Sequence, residues 1–139
     1  MVKICVVFAF VIMCVAYCKA ANPHRKTALH LAADSNEVSL ARQLISAGAN
    51  IEKGDAAGST PLHYASWSGS TDVIATLLSH GANINSRDNN GGTPLMYAAR
   101  QGQLTAAEAL LNAGADPCAE DNHGLNAYSV AKTNAIKQL

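Results

Sequence analysis

Histidines and aspartates are the residues of this chain whose chemistry suits catalysis or metal binding. His30 and His63 form the strongest pair, because they occupy matching places in the similar segments TALHLAA and TPLHYAS. Equivalent positions on two packed helices lie about 8–10 Å apart. That separation is too large for both imidazoles to bind one zinc ion at about 2 Å. His80 precedes a glycine at the predicted end of a helix, where a surface histidine is favourable.

The carboxylates repeat with the same step as the histidines. Asp55, Asp88 and Asp121 each precede a glycine by three residues. An aspartate at such a position accepts hydrogen bonds from turn amides, so we predict a structural role for all three. The glycine-rich segment DNNGG lacks the Lys-Ser/Thr of a phosphate-binding loop. We therefore expect no enzyme, no cofactor and no metal site.

The first twenty residues differ from the rest of the chain. Lys3 precedes an uncharged apolar run that ends at Cys18, and small residues suit cleavage after Ala20. This pattern predicts a signal peptide over residues 1–20 and a secreted or periplasmic protein. An uncleaved membrane anchor is the main alternative, although the run is short for a membrane span. The bulky Tyr17 argues against a lipoprotein signal.

Cleavage would change the charge and the cysteine content of the chain. The whole sequence has ten basic and ten acidic residues, and cleavage would remove two basic residues. Neither form has the excess of positive charge typical of nucleic-acid binding. Cys118 would be the one remaining cysteine, so no internal disulfide could form. We expect Cys118 to be half-buried and inert; pairing with another chain is the alternative.

The chain repeats itself with a constant step of about 33 residues. Aligned copies read TALHLAA, TPLHYAS, TPLMYAA and NAYSVAK, and further along LISAGANI, LLSHGANI and LLNAGADP. Each threonine suits a helix N-cap, and Pro61 and Pro94 suit the first helical position. Asn36, Gly69 and Gly102 suit a tight turn before a second helix.

The period and the TPLHxA segment resemble the ankyrin repeat family. The resemblance covers residues 24–139 and implies an all-α repeat solenoid of stacked helix–turn–helix units with β-hairpin-like loops. It also implies that the histidines tie helix to loop through hydrogen bonds to threonine and backbone. The predicted domains are a signal peptide at 1–20 and a repeat domain at 21–139, with repeats at about 24–56, 57–89 and 90–122 and a partial repeat at 123–139.

Several positions depart from the repeat pattern. The first copy lacks the Asp-x-x-Gly loop, and Met96 replaces the histidine in the third. The fourth copy is short, so we expect Ile136 and Leu139 to cover the end of the core. Solenoids need such caps, because each repeat buries its apolar face only against its neighbours.

Positions that differ between copies are the candidates for partner binding, because scaffold positions agree. They fall at the loop tips and at the ends of the first helices. By family resemblance, both sets line a concave surface. The predicted partner-binding residues are Asp34, Ala56, Ala57, Ser59, Trp67, Ser68, Asn89, Asn90, Arg100, Gln101, Asn122 and His123.

Trp67, the only tryptophan, stands between Asp34 and Arg100 in the row of helix ends. Trp and Arg are enriched at binding hot spots, which favours a contact role for Trp67. The alternative is that Arg100 lies over the Trp67 ring as a cation–π pair.

Together, the signal-like segment, the charge balance and the family resemblance predict an exported, monomeric, non-enzymatic protein that binds an unidentified protein partner, with no nucleic acid and no membrane contact after cleavage. The alternative function is a secreted effector or toxin-like regulator, linked to its target through Cys118.

Overall fold

The computed structural model describes residues 22–139, and regular structure within that range is entirely helical. The predicted signal peptide, residues 1–20, and its cleavage site lie outside the described residues. Eight helices follow one another in the described range: α1 Ala28–Asp34, α2 Val38–Ser46, α3 Pro61–Ser68, α4 Thr71–Ser79, α5 Pro94–Gln101, α6 Leu104–Asn112, α7 Ala127–Val130 and α8 Asn134–Lys137.

The helices stack in two layers. Helices α1, α3, α5 and α7 pack in sequence as one layer, and α2, α4, α6 and α8 form the other. In the first three pairs, the first and second helix also pack together across a short turn. This arrangement is the all-α repeat solenoid that the sequence predicts. Between residues 22 and 139, none of the helices combines the length and apolar character needed to cross a membrane.

The helices of the first layer begin as the repeat pattern predicts. Thr27, Thr60 and Thr93 have extended backbones and precede α1, α3 and α5 as N-caps. Asn126 replaces threonine in the fourth copy, and its side-chain oxygen accepts a hydrogen bond from the Ser129 amide at 3.0 Å. Each cap satisfies amide groups that the first turn of a helix leaves without partners.

The turn between paired helices requires a left-handed residue. Gly69 and Gly102 adopt φ of 73° and 76°, and Asn36 takes the same role at 55°. Asparagine is among the few residues with a side chain that adopts this conformation readily. The sequence prediction of a tight turn at these three positions is confirmed.

The core runs through the length of the stack. Leu29, Leu62 and Leu95 are buried at the same position of successive copies, beside the buried alanines Ala65 and Ala98. Small alanine side chains let neighbouring helices approach closely, so the core consists of thin, closely packed layers. The fold therefore forms from packing between adjacent copies.

The first copy does have a loop like the others, contrary to the sequence prediction. Asn22 occupies the aspartate position, and its Oδ1 accepts a hydrogen bond from the Lys26 amide at 2.9 Å. Arg25 occupies the glycine position with φ of 55°. An amide side chain accepts the same hydrogen bond as a carboxylate, so the loop forms without the Asp-x-x-Gly sequence.

The C-terminal cap is only partly as predicted. Ile136 is buried at 8% exposure, whereas Leu139 is 52% exposed. Helix α8 has a single turn and ends at Lys137, so Leu139 lies beyond it. Leu139 lines a cavity of about 200 Å³ at this end, together with Leu95 and Leu111.

Candidate functional site

His30 connects α1 to the loop between α2 and α3, and His63 connects α3 to the loop between α4 and α5. The Thr27 amide donates to His30 Nδ1 at 3.0 Å, so the ring proton lies on Nε2. Nε2 then donates to the Ser59 carbonyl at 2.8 Å. His63 repeats this arrangement one copy later, donating from Nε2 to the Gly92 carbonyl at 3.0 Å. The structural role predicted for both histidines is confirmed.

Burial determines the protonation of these two rings. Both side chains are fully buried, and this desolvation lowers the pKa of His30 and of His63 below the ordinary value of 6.5. Hydrogen bonds to the carbonyls of Ser59 and Gly92 oppose the effect but do not cancel it. Neutral imidazoles are therefore part of the folded state near neutral pH.

The repeated aspartates close the loops. Asp55 Oδ1 accepts from the amides of Ala57 and Ser59, both at 2.9 Å, and Oδ2 accepts from the Tyr64 hydroxyl at 2.8 Å. Burial raises the pKa of the Asp55 carboxyl, but hydrogen bonds from Tyr64 and the two amides outweigh burial and hold it below 3.8. Asp55 is therefore ionised at neutral pH.

Asp88 makes the same contacts one copy later. Its Oδ1 accepts from the amides of Asn90 and Gly92, both at 2.8 Å, and its Oδ2 accepts from the Tyr97 hydroxyl at 2.6 Å. Asp121 keeps only the amide contacts, because Val130 stands where the others have tyrosine. The predicted turn role of all three aspartates is confirmed.

Backbone hydrogen bonds connect each loop tip to the next. The Ala56 amide donates to the His24 carbonyl at 2.7 Å, and the Asn89 amide donates to the Ala57 carbonyl at 2.9 Å. The Asn122 amide continues the series to the Asn90 carbonyl at 2.9 Å. We call this series the loop-tip ladder. It joins four loops into one continuous edge.

Most of the predicted partner-binding residues are accessible. Ser68 and Gln101 are half-buried, and a further nine are exposed. The exposed residues are Asp34, Ala56, Ala57, Trp67, Asn89, Asn90, Arg100, Asn122 and His123.

Ser59 does not belong to the accessible set, and its prediction is wrong. It is only 3% exposed. Its hydroxyl bonds with the Tyr97 hydroxyl at 2.9 Å, and its carbonyl accepts from His30. Ser59 is therefore part of the packing between copies.

The row of helix ends is linked by side chains. The Ser68 hydroxyl donates to the Asp34 carboxylate, and the Gln103 amide donates to the Trp67 carbonyl at 3.2 Å. The Trp67 indole packs edge-to-face on Tyr97 with ring centroids 5.9 Å apart, and it remains 42% exposed. Of the aromatic rings in the described range, those of Tyr64 and Tyr128 have a cation over them, so the Arg100–Trp67 pair is not formed.

Trp67 and a loop tip share one cavity of about 370 Å³, which we call the aromatic cavity. The cavity brings the predicted loop-tip residue Ala57 beside the predicted helix-end residue Trp67. Its lining consists of His24, Asp55, Ala57, Ser59, Tyr64, Trp67 and Tyr97.

The two tyrosines of this cavity were not predicted from the sequence. Tyr64 and Tyr97 fall inside the TPLHYA and TPLMYA segments, which the repeat pattern assigns to the scaffold. The signal was a tyrosine nine residues after an aspartate in two copies. That spacing matches the hydrogen bonds to Asp55 and Asp88.

Cys118 is exposed, contrary to the prediction that it is half-buried. It lies in a loop where its amide donates to Asp116 Oδ1 at 2.9 Å. This turn holds the residue at the surface and leaves the thiol accessible.

Comparisons with known proteins give one consistent result. Residues 5–88 match a family model described as ankyrin repeats (3 copies), and residues 77–131 match one described as ankyrin repeats (many copies). No curated protein gives a significant match.

Proposed function

The chain belongs to the ankyrin repeat family, and we propose from this premise that it is an exported, non-catalytic protein that binds a protein partner through one surface. Ankyrin repeats mediate protein–protein interaction, and the proposal adds the surface, the export and the lack of catalysis. We define the binding surface by the loop tips and helix ends around the aromatic cavity. Its residues are Asp34, Ala56, Ala57, Trp67, Ser68, Asn89, Asn90, Arg100, Gln101, Asn122 and His123.

The accessibility of Trp67 carries the proposal. A large aromatic side chain that is 42% exposed beside a cavity of about 370 Å³ leaves apolar area available for burial by a partner. Tryptophan is among the residues most enriched at binding hot spots. A second protein that covers Trp67 would bury it without any rearrangement of the core.

The surface is also well ordered. The loop-tip ladder fixes the loop backbones, and the Asp55 and Asp88 turns fix each loop to its own helix. A surface that is already ordered loses little conformational entropy on association. This supports binding by presentation of a rigid surface.

The polar groups support a non-enzymatic protein. His30 and His63 use both ring nitrogens in internal hydrogen bonds, and Asp55 and Asp88 close turns. The strongest candidates for acid–base chemistry in the sequence are therefore part of the scaffold.

Export is compatible with where the first loop begins. Asn22 already accepts the hydrogen bond that closes this loop, so cleavage after Ala20 would leave the loop intact. The family match begins at residue 5, which favours the competing interpretation that residues 5–20 belong to a further repeat. The N-terminus of the mature protein distinguishes the two.

Exposure of Cys118 supports a second candidate function, an effector or regulator linked covalently to another chain. A disulfide to a partner would be broken under reducing conditions, and the two chains would separate. Comparison of non-reducing and reducing gels for the wild type and Cys118→Ser tests this, and an unchanged monomer band in both would exclude it.

Affinity capture from the native extracellular or periplasmic fraction tests the main proposal. We expect the wild type to capture a partner that Trp67→Ala captures weakly. The matched control is Tyr128→Ala, which removes a more exposed aromatic residue outside the binding surface. Equal capture by the wild type and Trp67→Ala would contradict the proposal.

A further inference from the structure

Three aromatic rings and one carboxylate surround the aromatic cavity. Tyr64, Trp67 and Tyr97 supply the rings, and Asp55 supplies the carboxylate. Aromatic faces carry partial negative charge and attract cations. The wall of the cavity therefore combines the negative charge of a carboxylate with aromatic ring faces, and both attract cations.

The hydrogen-bond donors of this wall are mostly engaged already. The Tyr64 hydroxyl donates to Asp55, and the Tyr97 hydroxyl donates to Asp88. Since the Tyr97 proton is directed to Asp88, the Ser59 hydroxyl is the donor in the contact between Ser59 and Tyr97. The Ala57 and Ser59 amides both donate to Asp55.

The polar atoms left for a ligand include two acceptor oxygens. Asp55 Oδ2 and the Tyr64 hydroxyl oxygen each have remaining lone pairs. The Trp67 indole and the His24 ring also line the cavity, and each carries an N–H donor with no hydrogen bond to residues 22–139. Because Asp55 is ionised, a positively charged group rich in donors matches this wall better than a carboxylate does.

Nearby charges favour a positive ligand. Burial and the hydrogen bond to Asp88 raise the pKa of Tyr97 to about 12, and the charges of Asp88 and Asp55 add to the effect. Burial and Asp55 also raise the pKa of Tyr64, and the charge of Asp34 contributes. Three carboxylates thus act on the two rings.

The protein itself places a cation on this cluster. Lys26 Nζ lies 4.6 Å from the centroid of the Tyr64 ring. Lys26 is a neighbour of the cavity and lies outside its lining. The Tyr64 ring therefore attracts an ammonium group in the free protein.

We infer that the aromatic cavity binds a basic side chain, arginine or lysine, presented by the protein partner. The guanidinium or ammonium group lies against the Trp67 and Tyr64 rings and donates to Asp55 Oδ2. This inference rests on the proposed function and adds the chemistry of the residue that the partner inserts. Lys26 competes with that residue for the Tyr64 ring.

Short peptides with one variable residue test the inference on the mature protein. The probes are acetyl-Gly-Ser-Xaa-Ser-Gly-amide with arginine, lysine, citrulline or glutamate at Xaa. Citrulline has nearly the shape of arginine without its charge. Fluorescence of Trp67, the only tryptophan, measures binding, and amide chemical shifts locate it. We expect the arginine and lysine peptides to bind about tenfold tighter than the citrulline peptide.

Three variants separate a local effect from overall charge. Asp55→Asn keeps an oxygen for the two loop amides but removes the charge, and should weaken arginine binding about tenfold. Asp121→Asn makes the same change in a loop away from the cavity and should leave binding unchanged. Lys26→Gln removes the competing cation and should strengthen binding severalfold.

Tighter binding of the citrulline or glutamate peptide would overturn the inference, as would equal losses in Asp55→Asn and Asp121→Asn. Weaker binding in Lys26→Gln would also overturn it, without any dependence on how well Asp55→Asn folds. If partner capture depends on Trp67 while the peptides show no charge preference, the inference fails and the proposed function stands. If capture is also independent of Trp67, both fail.

Discussion

His30 donates a hydrogen bond from Nε2 to the backbone carbonyl of Ser59, 29 residues further along the chain, at 2.8 Å. The contact crosses from the first helix of one copy to the loop of the next. His63 and Gly92 repeat it. Because Nδ1 of each ring accepts a hydrogen bond from a threonine amide, the ring must be neutral, and these contacts between copies depend on pH.

Stability should fall as the solution becomes mildly acidic. The pKa of His30 and of His63 is lowered in the folded state relative to 6.5, so the unfolded chain binds protons first. Both histidines therefore make their full contribution to the free energy of unfolding above about pH 6.5. Below that pH the free energy of unfolding decreases, by at most about 1.4 kcal/mol per pH unit for each histidine. Urea unfolding at a series of pH values measures the slope.

His80→Gln is the control for this pH dependence, because His80 is exposed. The His80 ring contacts Thr76 and Ser79 of its own helix, so its replacement leaves the contacts between copies in place. Asp55 and Asp121 titrate below 3.8 in the folded protein, so their contribution falls at lower pH. The range from about pH 7.5 to about pH 5 spans the ordinary histidine pKa of about 6.5. A free energy of unfolding that stays constant over this range would contradict the prediction.

His63→Met introduces the residue that the third copy has at Met96. The Thr60 amide and the Gly92 carbonyl would lose their partner, so we expect a loss of about 1–3 kcal/mol at pH 8. The slope between neutral and mildly acidic pH should also decrease, because one titrating ring is removed. An unchanged slope would show that His63 does not contribute to the pH dependence.

Arg25→Gly should stabilise the protein. Arg25 is exposed and adopts φ of 55°, where the other three loops have glycine. Relief of this conformation should outweigh the greater flexibility of glycine in the unfolded chain, with a gain of about 0.5–1 kcal/mol. Thermal unfolding monitored by circular dichroism gives the shift.

Gly58→Ala is the opposite change at the matching position of the next loop. The added Cβ would lie 2.5 Å from Asn89 Oδ1 and 3.0 Å from the Asn89 amide nitrogen, at φ of 78°. We expect a clear loss of stability. If Arg25→Gly also destabilises, the equivalence of the two loops is wrong.

Trp67→Ala should cost about 1–2 kcal/mol of stability, because the ring loses its contact with Tyr97 but was only partly buried. Leu62→Ala, in the core, should cost about 2–5 kcal/mol. Urea unfolding of both variants gives the comparison. A loss for Trp67→Ala as large as that for Leu62→Ala would identify Trp67 as a core residue and weaken the binding argument.

N-terminal sequencing of the exported protein should begin at or near Ala21. A protein that retains Met1 would exclude the cleaved signal peptide. The cell fraction in which the protein accumulates provides an independent check, because a retained segment would hold it at the membrane or inside the cell.

The repeat made the scaffold predictable from sequence. The caps at Thr27 and Thr60 and the turns at Gly69 and Gly102 depend on local chemistry that recurs from one copy to the next. The loop at Asn22 and Arg25 was not predicted, because it has the same backbone conformation as the others but different side chains. Sequence identity alone does not show that an asparagine accepts the same hydrogen bond as an aspartate.

The binding surface was harder to predict than the scaffold. Variation between copies located Trp67 and the loop tips, but it also selected Ser59, which is buried and bonds to Tyr97 inside the protein. Tyr64 and Tyr97 were missed for the opposite reason, because a residue shared by two copies was assumed to be scaffold. Whether a side chain is buried or exposed depends on packing between copies, and the sequence of one copy alone does not contain that information.

The loop-tip ladder has a consequence for how this protein changes over evolutionary time. Its hydrogen bonds between successive loops join backbone atoms of His24, Ala56, Ala57 and Asn89, so many substitutions at the tips leave these bonds in place. Mutations at exposed tip positions such as Ala56 and Ala57 can accumulate with little selection against them from folding. Recognition of a new partner can therefore arise by point mutation while the inherited architecture persists.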